Sequence, residues 1–114
     1  MEKISQFKVF YRDYVNGVSI SSASPEALGG DRIPALAEAL LQHADNFLGI
    51  VDVNDQVLQV YLDDDEQNVF IELLYPEGQG ALRLKLPWID ALQVLTGLPE
   101  AFAESLLPGA QFIS

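Results

Sequence analysis

Residues 46–86 read NFLGIVDV-NDQ-VLQVYL-DDDEQN-VFIELLY-PEGQG-ALRLKL, and this stretch decides the fold. Four apolar runs alternate with three polar clusters of Asn, Asp, Pro and Gly, residues that tolerate the backbone angles of turns. Val, Ile, Tyr and Phe within the runs favour a pleated, half-buried surface. Short apolar runs separated in this way are typical of an antiparallel meander, so we expect four consecutive strands.

Side chains in the last of these runs alternate between apolar and cationic. Leu82, Leu84 and Leu86 take every second position, and Arg83 and Lys85 stand between them. Successive side chains of a strand point to opposite faces of the sheet. We therefore expect the leucines to face a core and the two cations to face away from it.

The third run is apolar on both of its faces. One face carries Val69, Ile71, Leu73 and Tyr75, whereas the other carries Phe70 and Leu74. A strand with two apolar faces is typical of the centre of a sheet. The pattern predicts a central strand whose second face is also covered by another part of the chain.

A hairpin and one long helix are predicted before the meander. Residues 6–20 are interpreted as the hairpin, because Asn16-Gly17 is the dipeptide most favoured at such a turn. Residues 21–30 are predicted to form a loop. A helix is expected over residues 32–44, where apolar side chains recur at helical spacing. The apolar stripe of this helix consists of Ile33, Leu36, Ala37, Leu40, Leu41 and Ala44.

Two short helices are predicted after the meander, over residues 88–96 and 99–107, and Pro87 and Pro99 favour their first turns. The predicted fold class is therefore α+β. An antiparallel sheet, made of the N-terminal hairpin and the four-stranded meander, carries one long helix and two short C-terminal helices on one face. Without an internal repeat or linker, residues 1–114 are expected to form a single domain.

The chain is strongly acidic, since 17 Asp and Glu residues against 6 Lys and Arg give a formal charge of −11. Nucleic acids and anionic membranes require cationic surface, so neither is expected as a partner. No Lys or Arg lies between Arg32 and Arg83. The carboxylates of that segment are Glu38, Asp45, Asp52, Asp55, Asp63, Asp64, Asp65, Glu66, Glu72 and Glu77. Such a field attracts basic proteins; alternatively, it only keeps a small domain soluble.

The sequence also bears on the compartment. There is no cysteine, which excludes disulfides and thiolate metal sites and fits a reducing compartment, although it is also compatible with secretion. The first residues lack the apolar run of a signal peptide, and no stretch approaches the length of a membrane span. These features predict a soluble, cytoplasmic protein.

Catalytic and metal-binding residue types lack the spacing that their chemistry needs. His43 is the only histidine, and the serines form no nucleophile-elbow pattern. The acidic run at residues 63–66 has Ca²⁺-binding chemistry, but Asn68 and Leu74 occupy the sixth and twelfth positions, where an EF-hand has Gly and Glu. We interpret the run as a solvated turn whose charges discourage aggregation. No enzymatic activity, metal or cofactor is therefore predicted.

The meander resembles a known class of bacterial proteins. Residues 45–75, followed by a cationic strand and a helix, resemble small immunity proteins of polymorphic-toxin and contact-dependent systems. The shared features are the Asp45-Asn46 start and the strands that contain residues 58–60 and 70–72, about a third of the chain. Those immunity proteins are compact acidic α+β domains that bind and block a toxin. The resemblance implies a binding function and assigns no site residue.

Our first hypothesis is a non-enzymatic acidic protein that inhibits or escorts a basic protein partner, with aromatic anchors among its carboxylates. The predicted contact residues are Asp52, Asp55, Tyr61, Asp63, Asp64, Asp65, Glu66 and Glu72. Two alternatives stay open. The chain could be a structural subunit that forms a homo-oligomer through its sheet, or a domain that binds a small molecule between the hairpin and the C-terminal helices.

Overall fold

The computed structural model describes residues 6–43 and 45–113, apart from the side chain of Glu77. Its strands are β1 (Gln6–Asp13), β2 (Val18–Ile20), β3 (Glu26–Gly29), β4 (Phe47–Val51), β5 (Val57–Leu62), β6 (Asn68–Leu74), β7 (Ala81–Pro87) and β8 (Gln111–Ile113). Its α-helices are α1 (Ile33–Leu40) and α2 (Trp88–Leu95). Single 3₁₀ turns cover Gly30–Arg32, Pro76–Gly78 and Glu104–Leu106. The α+β class with an antiparallel sheet is confirmed.

All eight strands belong to one antiparallel sheet of order β2-β1-β4-β5-β6-β7-β8, and β3 pairs with β1 alongside β2. The predicted meander is therefore present as β4 to β7, with each strand hydrogen-bonded to the next. β1 joins it by pairing with β4. The central position predicted for β6 is confirmed, because it lies between β5 and β7.

One face of the sheet, which we call the covered face, holds the hydrophobic core. Alternate side chains of the strands supply it, as the period of two requires. They pack against α1, α2 and the segment at residues 98–107. The most buried strand residues of this face are Phe7, Val9, Leu48, Ile50, Leu58, Val60, Leu62, Val69, Ile71 and Leu73. Both α-helices thus lie on one side of the sheet, as expected.

The other side, the open face, has no such cover within the described residues. Phe10, Phe47, Tyr61 and Phe70 point to it and are partly exposed, and none of them belongs to the core cluster or packs against it. The expectation that another part of the chain covers the second apolar face of β6 is wrong for the part of the chain that the structure describes. Both α-helices are used on the covered face.

α1 ends at Leu40, four residues before the predicted end. Asn46, which is buried, explains the early turn. Its side-chain amide donates to the Leu40 carbonyl at 2.8 Å and to the Asp13 carboxylate at 3.1 Å. Its oxygen accepts the backbone N–H of Tyr14 at 2.8 Å. One buried amide therefore ends the helix and ties it to the β1–β2 turn and to the start of β4.

Three other segments differ from the predictions. The β1–β2 hairpin exists, but its turn spans residues 14–17 and its return strand is short. The predicted loop at residues 21–30 contains β3, which pairs with β1. The predicted helix at residues 99–107 is wrong: the segment has only one 3₁₀ turn. Phe102 is buried there, stacks on Phe7 at a ring distance of 5.8 Å, and gives its backbone N–H to Asp52. These contacts replace those of a helix.

Candidate functional site

The open face is organised in rows that run across the paired strands. One row crosses β1, β4, β5, β6 and β7 in register. Its members are Arg12, Phe47, Tyr61, Phe70 and Lys85. We call Phe47, Tyr61 and Phe70 the aromatic strip. Two cations bound this strip, one at each end of the row.

The adjacent row carries the polar chemistry of the face. It runs through Phe10, Gly49, Gln59, Glu72 and Arg83. The ring of Phe10 lies directly over Gly49, so that a Cβ built on Gly49 would overlap the ring. Gly49 therefore allows Phe10 to lie flat against the sheet, where its ring is 6.5 Å from that of Phe47 in an edge-on arrangement.

Glu72 is the carboxylate at the centre of this surface, and only 7% of it is exposed. Its Oε2 accepts the Tyr61 hydroxyl at 2.7 Å and the Arg83 Nε–H at 2.6 Å. Burial of the phenol, together with this hydrogen bond to Glu72, raises the pKa of Tyr61 to about 12. The hydrogen bond to Glu72 also raises the pKa of Arg83. The three groups form one charge-assisted network that holds Tyr61 in place.

Phe70 is held from two sides. The Tyr61 ring is tilted against it at 5.2 Å between centroids. The guanidinium of Arg83 and the ammonium of Lys85 lie 5.1 Å and 5.7 Å from its centroid. Lys85 also pairs with Asp63 at 2.7 Å, and this contact raises the pKa of Lys85. Cation–π contacts and ion pairs thus fix the β6–β7 side of the strip.

A shallow depression of about 340 Å³ opens beside the strip. It is lined by Asp45, Asn46, Phe47, Gln59, Tyr61 and Glu72. All buried side-chain polar atoms of the described residues have a hydrogen-bond partner. No described group donates to Glu72 Oε1, so this oxygen is not completely buried, and Glu72 lines the depression. The depression is therefore rich in acceptors.

The eight predicted contact residues do not form one surface. The turn with Asp52 and Asp55 precedes β5, and the turn with Asp63 to Glu66 follows it. A strand rises about 3.3 Å per residue, so the six residues of β5 separate the two turns by roughly 20 Å. Tyr61 and Glu72 lie between them on the open face.

The carboxylate of Asp52 accepts hydrogen bonds from its own loop. Asp52 is 6% exposed, and its carboxylate accepts the backbone N–H groups of Asn54 and Gln56, both at 2.8 Å, and of Phe102 at 2.6 Å. These bonds close the β4–β5 turn and attach it to the covered side. Asp55 is exposed in the same turn with a φ of 63°. Both oxygens of Asp52 are therefore used within the protein, and Asp55 lies at the opposite end of β5 from the turn with Asp63 to Glu66.

Some carboxylates of the β5–β6 turn bind groups within the turn, and others are exposed to solvent. Asp65 accepts the N–H groups of Gln67 and Asn68 and the amide of Asn68, and these bonds lower the pKa of Asp65. Asp64 and Glu66 are exposed. Asp45 belongs to the same end of the sheet as Asp63. Phe47 and Tyr61 are paired on antiparallel strands, Asp45 precedes Phe47 by two residues, and Asp63 follows Tyr61 by two. We call this set the acidic end; it comprises Asp45, Asp63, Asp64, Asp65 and Glu66.

Sequence reasoning missed that the cations gather. Four of the six Lys and Arg residues, Lys8, Arg12, Arg83 and Lys85, point to the open face. Among the described residues, ion pairs join Arg83 to Glu72 and Lys85 to Asp63, whereas Arg12 donates to the Tyr14 hydroxyl at 3.3 Å. The alternation within β7 predicted the face of Arg83 and Lys85, but only the strand order shows that Lys8 and Arg12 of β1 share this face.

His43 lies exposed just after α1. Within residues 6–43 and 45–113, no three His, Cys, Asp or Glu side chains are grouped so that they could hold a metal ion. In the same ranges no helix has the length and apolar character required to cross a membrane. No protein-family model matches the chain, and neither the curated proteins nor the solved structures contain a significant match.

Proposed function

We propose that this chain is a non-enzymatic binding protein that inhibits or escorts a basic protein partner, as an immunity protein does for its toxin. The surface we assign to the partner is the acidic end together with the adjoining half of the open face. It retains six of the predicted contact residues, adds Asp45 and omits Asp52 and Asp55. The observation that carries the proposal is the position of an uncovered aromatic strip next to an acidic end of the same sheet.

Aromatic anchors and charge have different roles in such a contact. The rings of Phe47 and Tyr61 are partly exposed and offer rigid apolar area, which dominates binding energy at interfaces. The carboxylates of Asp64 and Glu66 are free in solvent and steer a cationic partner toward the rings. The ion pairs of Arg83 and Lys85 keep the strip ordered before binding, which lowers the entropic cost of association.

The proposal also accounts for the open-face cations. Lys8 and Arg12 lie on β1, on the opposite side of the aromatic strip from β7. A basic partner that places its cations over the acidic end can place its own carboxylates over β1. Such paired patches of opposite sign fix the orientation of a complex and exclude other basic proteins.

The test is affinity capture of the partner from the cells of origin, followed by association kinetics against salt. Neutralising the acidic end with Asp45→Asn, Asp64→Asn and Glu66→Gln should slow association at low salt by on the order of tenfold. The matched control, Asp31→Asn, Asp55→Asn and Glu100→Gln, removes the same number of charges elsewhere and should slow it much less. Equal slowing by both triple variants, or a rate independent of salt, contradicts the proposal.

The inhibitory role has its own test. The captured partner is expressed alone and together with this chain, and cell growth is followed. Growth arrest by the partner that co-expression relieves supports an immunity role. A harmless partner that is soluble only in the presence of this chain supports an escort role instead. A partner that neither arrests growth nor depends on this chain for solubility excludes both roles.

A further inference from the structure

We infer that the depression beside the aromatic strip is a receptor site for one arginine side chain of the partner. This inference rests on the proposed function and adds the residue type that enters the site. The occupant follows from the lining, which combines two carboxylates, two side-chain amides and two aromatic rings in a volume of about 340 Å³.

The acceptors are arranged for a donor group with several N–H bonds. Glu72 Oε1 has no donor among the described residues, and neither has the side-chain amide of Gln59, which lines the same depression. Gln59 and Glu72 are directly opposite one another on β5 and β6, so their side chains are neighbours. Asp45 adds an exposed carboxylate at the rim.

Arg83 does not occupy this site, because it approaches Glu72 from β7 and uses Oε2. A carboxylate has lone pairs for about four hydrogen bonds, and the described residues supply two of them to Glu72. A second guanidinium can therefore bind the opposite oxygen. Since Glu72 and Arg83 are already paired, Asp45 and the neighbouring acidic end supply the net negative charge that favours a cation.

The aromatic walls favour a planar cation. Phe47 and Tyr61 are paired on adjacent strands, and both line the depression. A guanidinium stacks on aromatic rings and presents a fixed fork of five donors, whereas a lysine ammonium is a compact, strongly hydrated charge without a plane. A metal ion is a poor alternative, because the described residues provide no group of three ligands here. The lining thus selects arginine by shape and by donor number.

The experiment uses N-acetyl-arginine amide as the probe and amide NMR of the full chain as the readout. We expect millimolar binding, with shifts concentrated at Phe47, Gln59, Tyr61 and Glu72. The citrulline analogue, which has the same shape without the charge, and the lysine analogue should each bind at least threefold more weakly. Equal affinity for either analogue, or shifts centred elsewhere, overturns the inference.

Two variants separate recognition from folding. Gln59→Leu removes an amide from the depression and keeps all three residues of the Tyr61–Glu72–Arg83 network, and Asp45→Asn removes the rim charge. Each should weaken the arginine probe at least threefold, while Asp31→Asn, which neutralises a carboxylate before α1, should not. If Gln59→Leu leaves partner binding intact while the acidic-end triple variant weakens it, the arginine site is refuted and the proposed function stands. If the probe binds as described but the captured partner shows no dependence on the acidic end, the proposed function fails instead.

Discussion

Replacement of Asp52 by alanine should destabilise the fold by about 3 kcal/mol, although sequence reasoning assigned this residue to a partner. The carboxylate accepts three backbone N–H groups, at 2.8 Å from Asn54 and Gln56 and at 2.6 Å from Phe102. The Phe102 N–H is buried, and a buried donor without an acceptor costs about 1–3 kcal/mol. Asn54 and Gln56 are exposed, so water replaces much of what they lose, at about 0.5–1 kcal/mol each.

The measurement is urea denaturation followed by circular dichroism. With a slope of about 2 kcal/mol per M, the midpoint of Asp52→Ala should fall by about 1.5 M. Asp52→Asn should lose about half as much, because its amide keeps one oxygen but turns an NH₂ group toward another donor. The matched control is Asp55→Asn in the same turn, which should change stability by less than about 0.5 kcal/mol. An Asp52→Ala midpoint equal to that of the control would refute the structural role of Asp52.

Two further predictions concern the open face. Tyr61 keeps its proton up to about pH 12 in the folded protein, whereas the unfolded chain releases it near pH 10; the associated stability is therefore complete below pH 10 and is lost as the pH rises from about 10 to 12. Tyr61→Phe should remove the last step of the ultraviolet tyrosinate titration. The control is Tyr75→Phe, because a hydrogen bond to the Glu104 carboxylate also raises the pKa of Tyr75; this variant should leave the last step in place. Gly49→Ala should cost about 1–3 kcal/mol because it displaces the Phe10 ring, but less than about 0.5 kcal/mol in a Phe10→Ala background. Equal costs in the two backgrounds would show that the ring does not lie over Gly49.

The meander was predictable because each local signal agreed with the others. Alternation in the last run gave the correct faces for Arg83 and Lys85, and the turn clusters fell between the strands. The short edge strands were not predictable in the same way. β3 and β8 have four and three residues, too few for a periodic pattern, and they exist because β1 and β7 offer backbone groups to pair with.

The helical predictions failed where a single side chain outweighed propensity. The stripe of α1 continues past Leu40, but the buried amide of Asn46 binds the Leu40 carbonyl and the chain turns. Residues 99–107 have a proline that favours a first helical turn, yet Asp52 accepts the backbone N–H of Phe102 from a position 50 residues away in sequence. Contacts of this range cannot be inferred from a local window.

The predicted contact residues lie at two ends of the sheet, and the predicted fold already implied this separation. Successive turns of an antiparallel meander lie at opposite ends of the sheet, so Asp55 and Asp64 could never share a patch. In the register of β5 and β6, by contrast, Tyr61 pairs with Phe70 and Gln59 with Glu72, which makes Tyr61 and Glu72 diagonal neighbours on one face. The depression could not be predicted in this way, because residues 45–47 at the start of β4 form one of its walls and their position follows only from the tertiary structure.

The charge that a partner meets depends on its distance from this protein. The whole chain is negative, whereas the strand residues of the open face are positive on balance. The charged strand residues of the open face, Lys8, Arg12, Arg83 and Lys85 against Glu72, sum to +3. The rest of the chain therefore sums to −14, which gives the net charge of −11. Before contact, at separations near the Debye length of about 8 Å at physiological salt, a partner responds mainly to the net charge of the molecule. A basic protein is therefore drawn to the molecule, but at contact it meets cations along β1 and β7 and carboxylates at the acidic end. Only a partner that places carboxylates over β1 and β7 and cations over the acidic end complements this surface. Net charge therefore attracts basic proteins in general, whereas the arrangement of charges on the sheet selects among them.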